Sequence, residues 1–310
     1  MPPPGHAGQP LGHEPPPPSP PRGRDRSRLI AGAAIAILAA VAGLSLLLFG
    51  SGGSPLASPV AQAATVSSTT PGYRMHMSMQ MTSSALPAPV TATATGVVDL
   101  RDHATAMSML MDLGNEPQVI QQLGSPTLRV DLIMDGGSAY VRLPAALTSQ
   151  LPGSGRQWIE VDLAKLSGVP GLSSLASNPT SSDPSQALRS LRSVSGDVVD
   201  LGPERVDGIV TTHYRAELSV ASVAGSLPSA ERSMLEQALP TGGFPVEVWI
   251  DAHHLVRRFM TSMALSLPTG ENMQETATVD LSDYGPQSPP TPPPPDQVTD
   301  LSSLVTAAAG

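Results

Sequence analysis

The residues with the sharpest chemical signature are methionines. Met75, Met77, Met79 and Met81 alternate with His76, Ser78 and Gln80, and Met107, Met109 and Met111 repeat the spacing further along. A period of two puts each set on one side of a strand. The two strands are expected to be neighbours that present their thioethers to the same side. Three chemistries fit. A flexible, polarisable thioether packs in an ordinary core, lines a cavity that must adapt to varied apolar shapes, or serves as a soft ligand for Cu(I). The copper reading is weakened because His76 points away from the methionines in a strand. Aromatic residues make up only 3% of the chain, so Leu, Val, Ala and Met must fill the interior. Tyr214, Leu218, Phe259, Met263 and Leu265 are expected to share the apolar side with the methionine stripes.

The other reactive groups do not converge. His253 and His254 follow Asp251 at a turn, and one turn offers too few ligands in fixed geometry for a metal. They are read as solvated turn residues. His213 faces opposite to Tyr214 and is expected to be exposed. Trp158 and Trp249 are packing anchors; Trp249 shares a strand face with Glu247 and Asp251 and is expected to be partly exposed. Acids fall in turns (Asp99, Asp102, Asp135, Asp207, Asp251) or singly on strands. No G-x-S-x-G, P-loop or H-E-x-x-H motif occurs. The sequence contains no cysteine, which excludes disulfides, thiolate metal sites and a lipidated cysteine. No catalytic residue, metal ligand or cofactor is assigned, and an enzyme is not expected.

Strands must position these residues. Alternating or β-rich runs occupy 74–82, 91–100, 105–113, 127–134, 138–143, 157–162, 198–205, 209–220, 246–250, 255–267 and 272–281. Asp135-Gly136-Gly137, Asp207-Gly208, the Asp251 to His254 segment and Pro268 to Glu271 read as turns between them. Helical patterns are short: Pro184 to Val194 after a possible cap at Asp183, Pro228 to Leu239 with proline in its first turn, and Asp296 to Val305. The fold class is α+β, a curved antiparallel half-barrel of about nine or ten strands covered by a few short helices.

From Leu29 to Phe49 run 21 residues without a charge, with Ser45 as the single hydroxyl. As a helix they extend about 30 Å, enough to cross a bilayer. Arg22, Arg24, Arg26 and Arg28 precede the run and the next basic residue is Arg74, which places the N-terminus in the cytoplasm and the rest outside. The competing reading is a signal peptide cut after Ala61-Gln62-Ala63, but the apolar run is long and the motif lies far beyond it. Residues 1–28 form a proline-rich disordered tail, 50–70 a flexible stalk, 71–285 the folded domain, and 286–310 a proline-rich C-terminal segment. From residue 64 onward 13 Lys or Arg face 24 Asp or Glu, a net charge of −11. That sign argues against nucleic acid as a partner and against electrostatic clinging to anionic lipid. Membrane attachment then depends on Leu29 to Phe49.

Three segments carry a resemblance: MDGGSAYVRLP followed by RQWIEVDL, then DLGPERVDGIVTTHYRAEL, then FPVEVWIDAHHLVRRFMTSMAL. In that order they resemble the LppX/LprG-type lipoproteins and, more distantly, the LolA/LolB carriers, over roughly residues 65–285. The resemblance implies a half-barrel enclosing an apolar cavity for acyl chains, with a lipid or other apolar small molecule as partner. This chain departs from the lipoproteins by lacking their lipidated cysteine and carrying an apolar helix instead. A domain tied to one membrane suits local binding or hand-off at the cell envelope better than long-range transport. An envelope sensor or scaffold using a LolA-like domain is the alternative.

Overall fold

The computed structural model describes residues 58–83, 88–112, 120, 124–135, 137–142, 144–145, 156–162, 198–219, 243–266 and 272–300. The strands are β1 (Gly72–Ser83), β2 (Val90–Asp99), β3 (Ala104–Asp112), β4 (Thr127–Asp135), β5 (Ser138–Arg142), β6 (Trp158–Asp162), β7 (Val199–Val206), β8 (Ile209–Ser219), β9 (Gly243–Asp251), β10 (Val256–Ser266), β11 (Asn272–Ser282) and β12 (Val298–Asp300). They form one open sheet in the order β12-β6-β5-β4-β3-β2-β1-β11-β10-β9-β8-β7. The sheet has twelve strands, against about nine or ten in the expected fold class; eleven of them match the alternating runs of the sequence and β12 is the addition.

Two antiparallel meanders build it. The first runs from β1 outward to β6; the second runs from β7 inward to β11. They meet where β1 pairs with β11, from Arg74 opposite Ser282 to Ser83 opposite Met273. Local chemistry sets the turns. Asp207 and Gly208 both take positive φ, 49° and 81°, the backbone a two-residue type I′ hairpin needs between β7 and β8. At the β9–β10 turn the Asp251 carboxylate accepts the backbone N–H groups of His253 (2.8 Å) and Leu255 (3.0 Å). Its other oxygen accepts Arg257 Nε at 2.7 Å. Burial opposes ionisation of Asp251, but these donors outweigh it and hold the carboxyl below its ordinary pKa. His253 and His254 stay exposed, as the turn reading required.

The segment expected to be a stalk contains helix α1 (Pro59–Ser68). Ser58 caps it, its hydroxyl accepting Ala61 N–H at 3.1 Å, and proline opens the first turn where its missing N–H costs nothing. Val60, Ala61, Ala63, Ala64 and Ser67 are buried, and α1 packs on β9 and β10. Ser67 Oγ accepts the buried Val256 N–H at 2.9 Å. A short run made mostly of Ala, Ser, Thr and Val looks flexible in isolation; a sheet surface that takes small side chains turns it into a docked helix. The Ala61-Gln62-Ala63 motif lies inside this helix.

The C-terminal segment also differs from expectation. A 3₁₀ turn covers Pro295–Gln297, and Val298–Asp300 then adds β12, parallel to β6, in place of a helix beginning at Asp296. Arg156 fixes the join by donating to the Val298 carbonyl at 2.6 Å. The sequence-predicted helices at 184–194 and 228–239, the 1–28 tail and the 29–49 run lie outside the described residues. Among the described residues no helix is long and apolar enough to cross a membrane.

Candidate functional site

The register lays the methionines out in rows across the sheet. One row reads Tyr214, Val248, Phe259, Val279, Met77, Ala94, Met109, Val130, crossing eight strands from β8 to β4. The next reads Ala216, Val246, Thr261, Ala277, Met79, Ala92, Met111, Leu128. On one side of this pair lies Leu281, Met75, Gly96, Met107, Leu132. On the other lies Met263, Glu275, Met81, Val90. Since strand side chains alternate, all these residues share one face.

The expected site residues are therefore brought to one face, with one change. β1 and β3 are not neighbours; β2 runs between them and interposes Gly96, Ala94 and Ala92 between facing methionines. The small residues leave room for the long thioethers on either side. A Cβ on Gly96 would lie 3.1 Å from Met75 Cγ, so the Met75 side chain already lies over that position. Met75, Met79, Met81, Met109, Met111, Met263 and Phe259 are buried, while Met77, Met107 and Tyr214 are half-buried. Leu218 and Leu265 fall in phase with this face by register, opposite Phe244 and Met273. Their side chains lie outside the described residues. His76 points to the opposite face, where its imidazole is 53% exposed and 4.0 Å from Asp280.

Glu275 interrupts the apolar face. It sits directly between Met81 and Met263, in phase with Ala277, Val279 and Leu281. It is 4% exposed, and its Oε1 has no hydrogen-bond partner. Burial raises its pKa from an ordinary 4.5 to about 7. The sequence reading passed over this residue, yet a signal was present: in NMQETATVDLS the glutamate occupies the apolar phase, not the Thr276, Thr278, Asp280 phase.

The opposite face carries most of the charged groups, and several of them are paired. Asp131 meets Arg129 and Arg142; burial works against its ionisation, but a Ser108 hydrogen bond and the two guanidinium groups hold its pKa below the ordinary value. Arg142 also lies over the Trp158 ring, 5.2 Å from its centroid. Near them is a depression of about 330 Å³, lined chiefly by this face through Arg74, Thr95, Ser108, Asp131 and Trp158. Further along, His213 is not exposed as expected. It stacks on Trp249 at 4.0 Å and lies between Glu247 Oε2 (2.9 Å) and Glu204 Oε2 (3.2 Å). Trp249, expected to be partly exposed, is buried in this cluster and donates its indole N–H to Glu204 at 2.8 Å. Among the described residues no group of three or more His, Cys, Asp or Glu is placed to hold a metal ion.

No family model matches the chain. It is 27% identical over 160 residues to an uncharacterized 31.2 kDa protein in the rplA-rplJ intergenic region of Streptomyces griseus, a match spanning 49% of this chain and 50% of that protein. Among solved structures it is similar to LprF from Mycobacterium bovis, with 14% identity, a TM-score of 0.40 and coverage of 78% of this chain and 99% of that one. It is likewise similar to the lipoprotein LppX from Mycobacterium tuberculosis (17% identity, TM-score 0.36, 75% and 98% covered). A LolA superfamily protein from Nitrosomonas europaea also matches (10% identity, TM-score 0.28, 77% and 96% covered). These are proteins of the kinds that the three strand-turn segments resemble.

Proposed function

We propose that this chain is an extracytoplasmic module that binds a lipid or other apolar ligand on the methionine face of its sheet, held at the membrane by Leu29 to Phe49. The observation that supports this is the composition of this face where β1, β2 and β3 lie side by side. Thioethers alternate with Ala and Gly, so side chains that reshape easily stand beside positions that leave space. A core meant only to be rigid favours branched side chains with defined rotamers. The sequence resemblance to LppX/LprG-type and LolA-type carriers points to the same ligand class. We assign no catalytic step to the protein.

Anchoring makes the ligand exchange local. With α1 packed on the sheet, residues 59–68 no longer lengthen any tether, and hand-off to an adjacent envelope component is the role that fits. Native mass spectrometry of the purified full chain tests this. The expected result is a co-purifying acyl lipid, or uptake of added palmitic acid with one ligand per chain. A chain that emerges empty and ignores added palmitic acid overturns the proposal.

A second reading, an envelope sensor or scaffold, is favoured by α1 itself, which docks residues 59–68 on β9 and β10 where the sequence reads a loose stalk. Deleting residues 1–22 separates the two. Lipid binding and its downstream phenotype survive the deletion in a carrier, whereas a sensor keeps the binding and loses the phenotype.

A further inference from the structure

Among the described residues in phase with the methionines on the eight strands from β8 to β4, Glu275 carries the one acidic side chain. Its strand neighbours Met81 and Met263 supply no hydrogen-bond donor, and its Oε1 is left without a partner. Other buried carboxylates in the sheet are served: Asp99 accepts the N–H of Arg101 at 2.9 Å, Asp131 is held by Arg142, and Asp251 by the β9–β10 turn and Arg257. A buried polar atom without a partner opposes folding, and an apolar residue of similar volume at 275 would pack the same space without that cost. Its neighbours are also flexible thioethers that can turn aside for a guest.

We propose that Glu275 is the polar anchor of the ligand face, hydrogen-bonding the hydroxyl of a ligand whose long alkyl or acyl chain lies along the methionine rows. This rests on the ligand-binding reading above and adds the chemistry of the ligand's polar end. A hydroxyl is the group that suits this carboxyl. It accepts from the protonated acid and donates to the carboxylate, so it satisfies Oε1 in either state. Burial raises the pKa of Glu275 to about 7, so the neutral acid is well populated in mildly acidic conditions. An ammonium group needs the ionised carboxylate, and an alkane leaves the oxygen unpaired.

The test uses the full chain in lipid nanodiscs and three photoreactive C16 probes that differ at one end: a primary alcohol, an amine and a plain alkane. Labelling of the β1, β10 and β11 peptides is read by mass spectrometry. The alcohol is expected to label about tenfold more than the alkane, the size of one buried hydrogen bond. Glu275→Leu should bring the alcohol down to the alkane level with alkane labelling retained, and Glu275→Gln, which keeps a donor and an acceptor, should keep the preference. Equal labelling of wild type by alcohol and alkane overturns the anchor while leaving the ligand face standing, and so does a lead for the amine or a preference that survives Glu275→Leu. Absence of labelling by all three probes overturns the ligand face as well. The wild-type comparison decides the matter even where a variant fails to fold.

Discussion

Replacing Glu275 with glutamine should make the protein's stability less dependent on pH between about 5 and 8. The folded-state pKa of Glu275 is raised to about 7 from an ordinary 4.5, so within that window the folded chain holds a proton that the unfolded chain has released. Stability from this group is therefore fully present below 4.5, falls as pH rises, and is lost above 7. At about 1.4 kcal/mol per pH unit, the interval from 4.5 to about 7 amounts to about 3 kcal/mol. Asp131 and Asp251 contribute the opposite slope, but their pKa values lie below the ordinary 3.8, outside the window. Thermal unfolding followed by far-ultraviolet circular dichroism, at pH 5 and pH 8, measures the effect. For a sheet of this size 3 kcal/mol corresponds to roughly 6–12 °C in Tm. Wild type should lose that much from pH 5 to pH 8, and Glu275→Gln should not. Parallel pH profiles for the two proteins would refute the reasoning, because they would mean the carboxyl is hydrated and ionised throughout.

Three further substitutions probe the frame around the face. A Cβ on Gly72 would meet the Val98 carbonyl oxygen at 2.4 Å, a backbone atom that cannot swing away, so Gly72→Ala should cost at least about 2 kcal/mol in a urea melt. Ser67→Ala strips the buried Val256 N–H of its partner and should cost about 1–3 kcal/mol, and hydrogen exchange at Val256 should speed up with it. Asp251→Ala removes the oxygen that accepts two backbone N–H groups at the β9–β10 turn and leaves Arg257 without its carboxylate, an expected loss of about 3 kcal/mol in the same assay.

Much of the sheet is written in local alternation. The strands that carry the methionines, the Asp207-Gly208 hairpin and the Asp251 turn are visible in the sequence because each is decided by residues close together in the chain. Pairing across long separations is not. Nothing local to TATATG announces that β2 separates the two methionine strands, or that β1 closes on β11 some 190 residues later, from Arg74 opposite Ser282 to Ser83 opposite Met273. α1 was hidden for a related reason: PVAQAATVSS has little apolar surface, and only docking on β9 and β10 gives its small residues something to bury. Alternation assigns a face but not what else occupies it. Alternation puts His213 opposite to Tyr214, on the polar side, while its enclosure by Trp249, Glu204 and Glu247 depends on three strands meeting. Glu275 was legible in phase, and its consequence becomes apparent once Met81 and Met263 are seen on either side.

The most direct test of the account is methyl NMR of the full chain labelled at methionine methyl groups and titrated with hexadecan-1-ol. Met77, Met79, Met81, Met109, Met111 and Met263 should shift together, whereas Met260, which pairs with Glu247 and Thr278 on the other face, should stay in place. Binding that leaves those six resonances unmoved, or a titration in which no methionine responds, would contradict it.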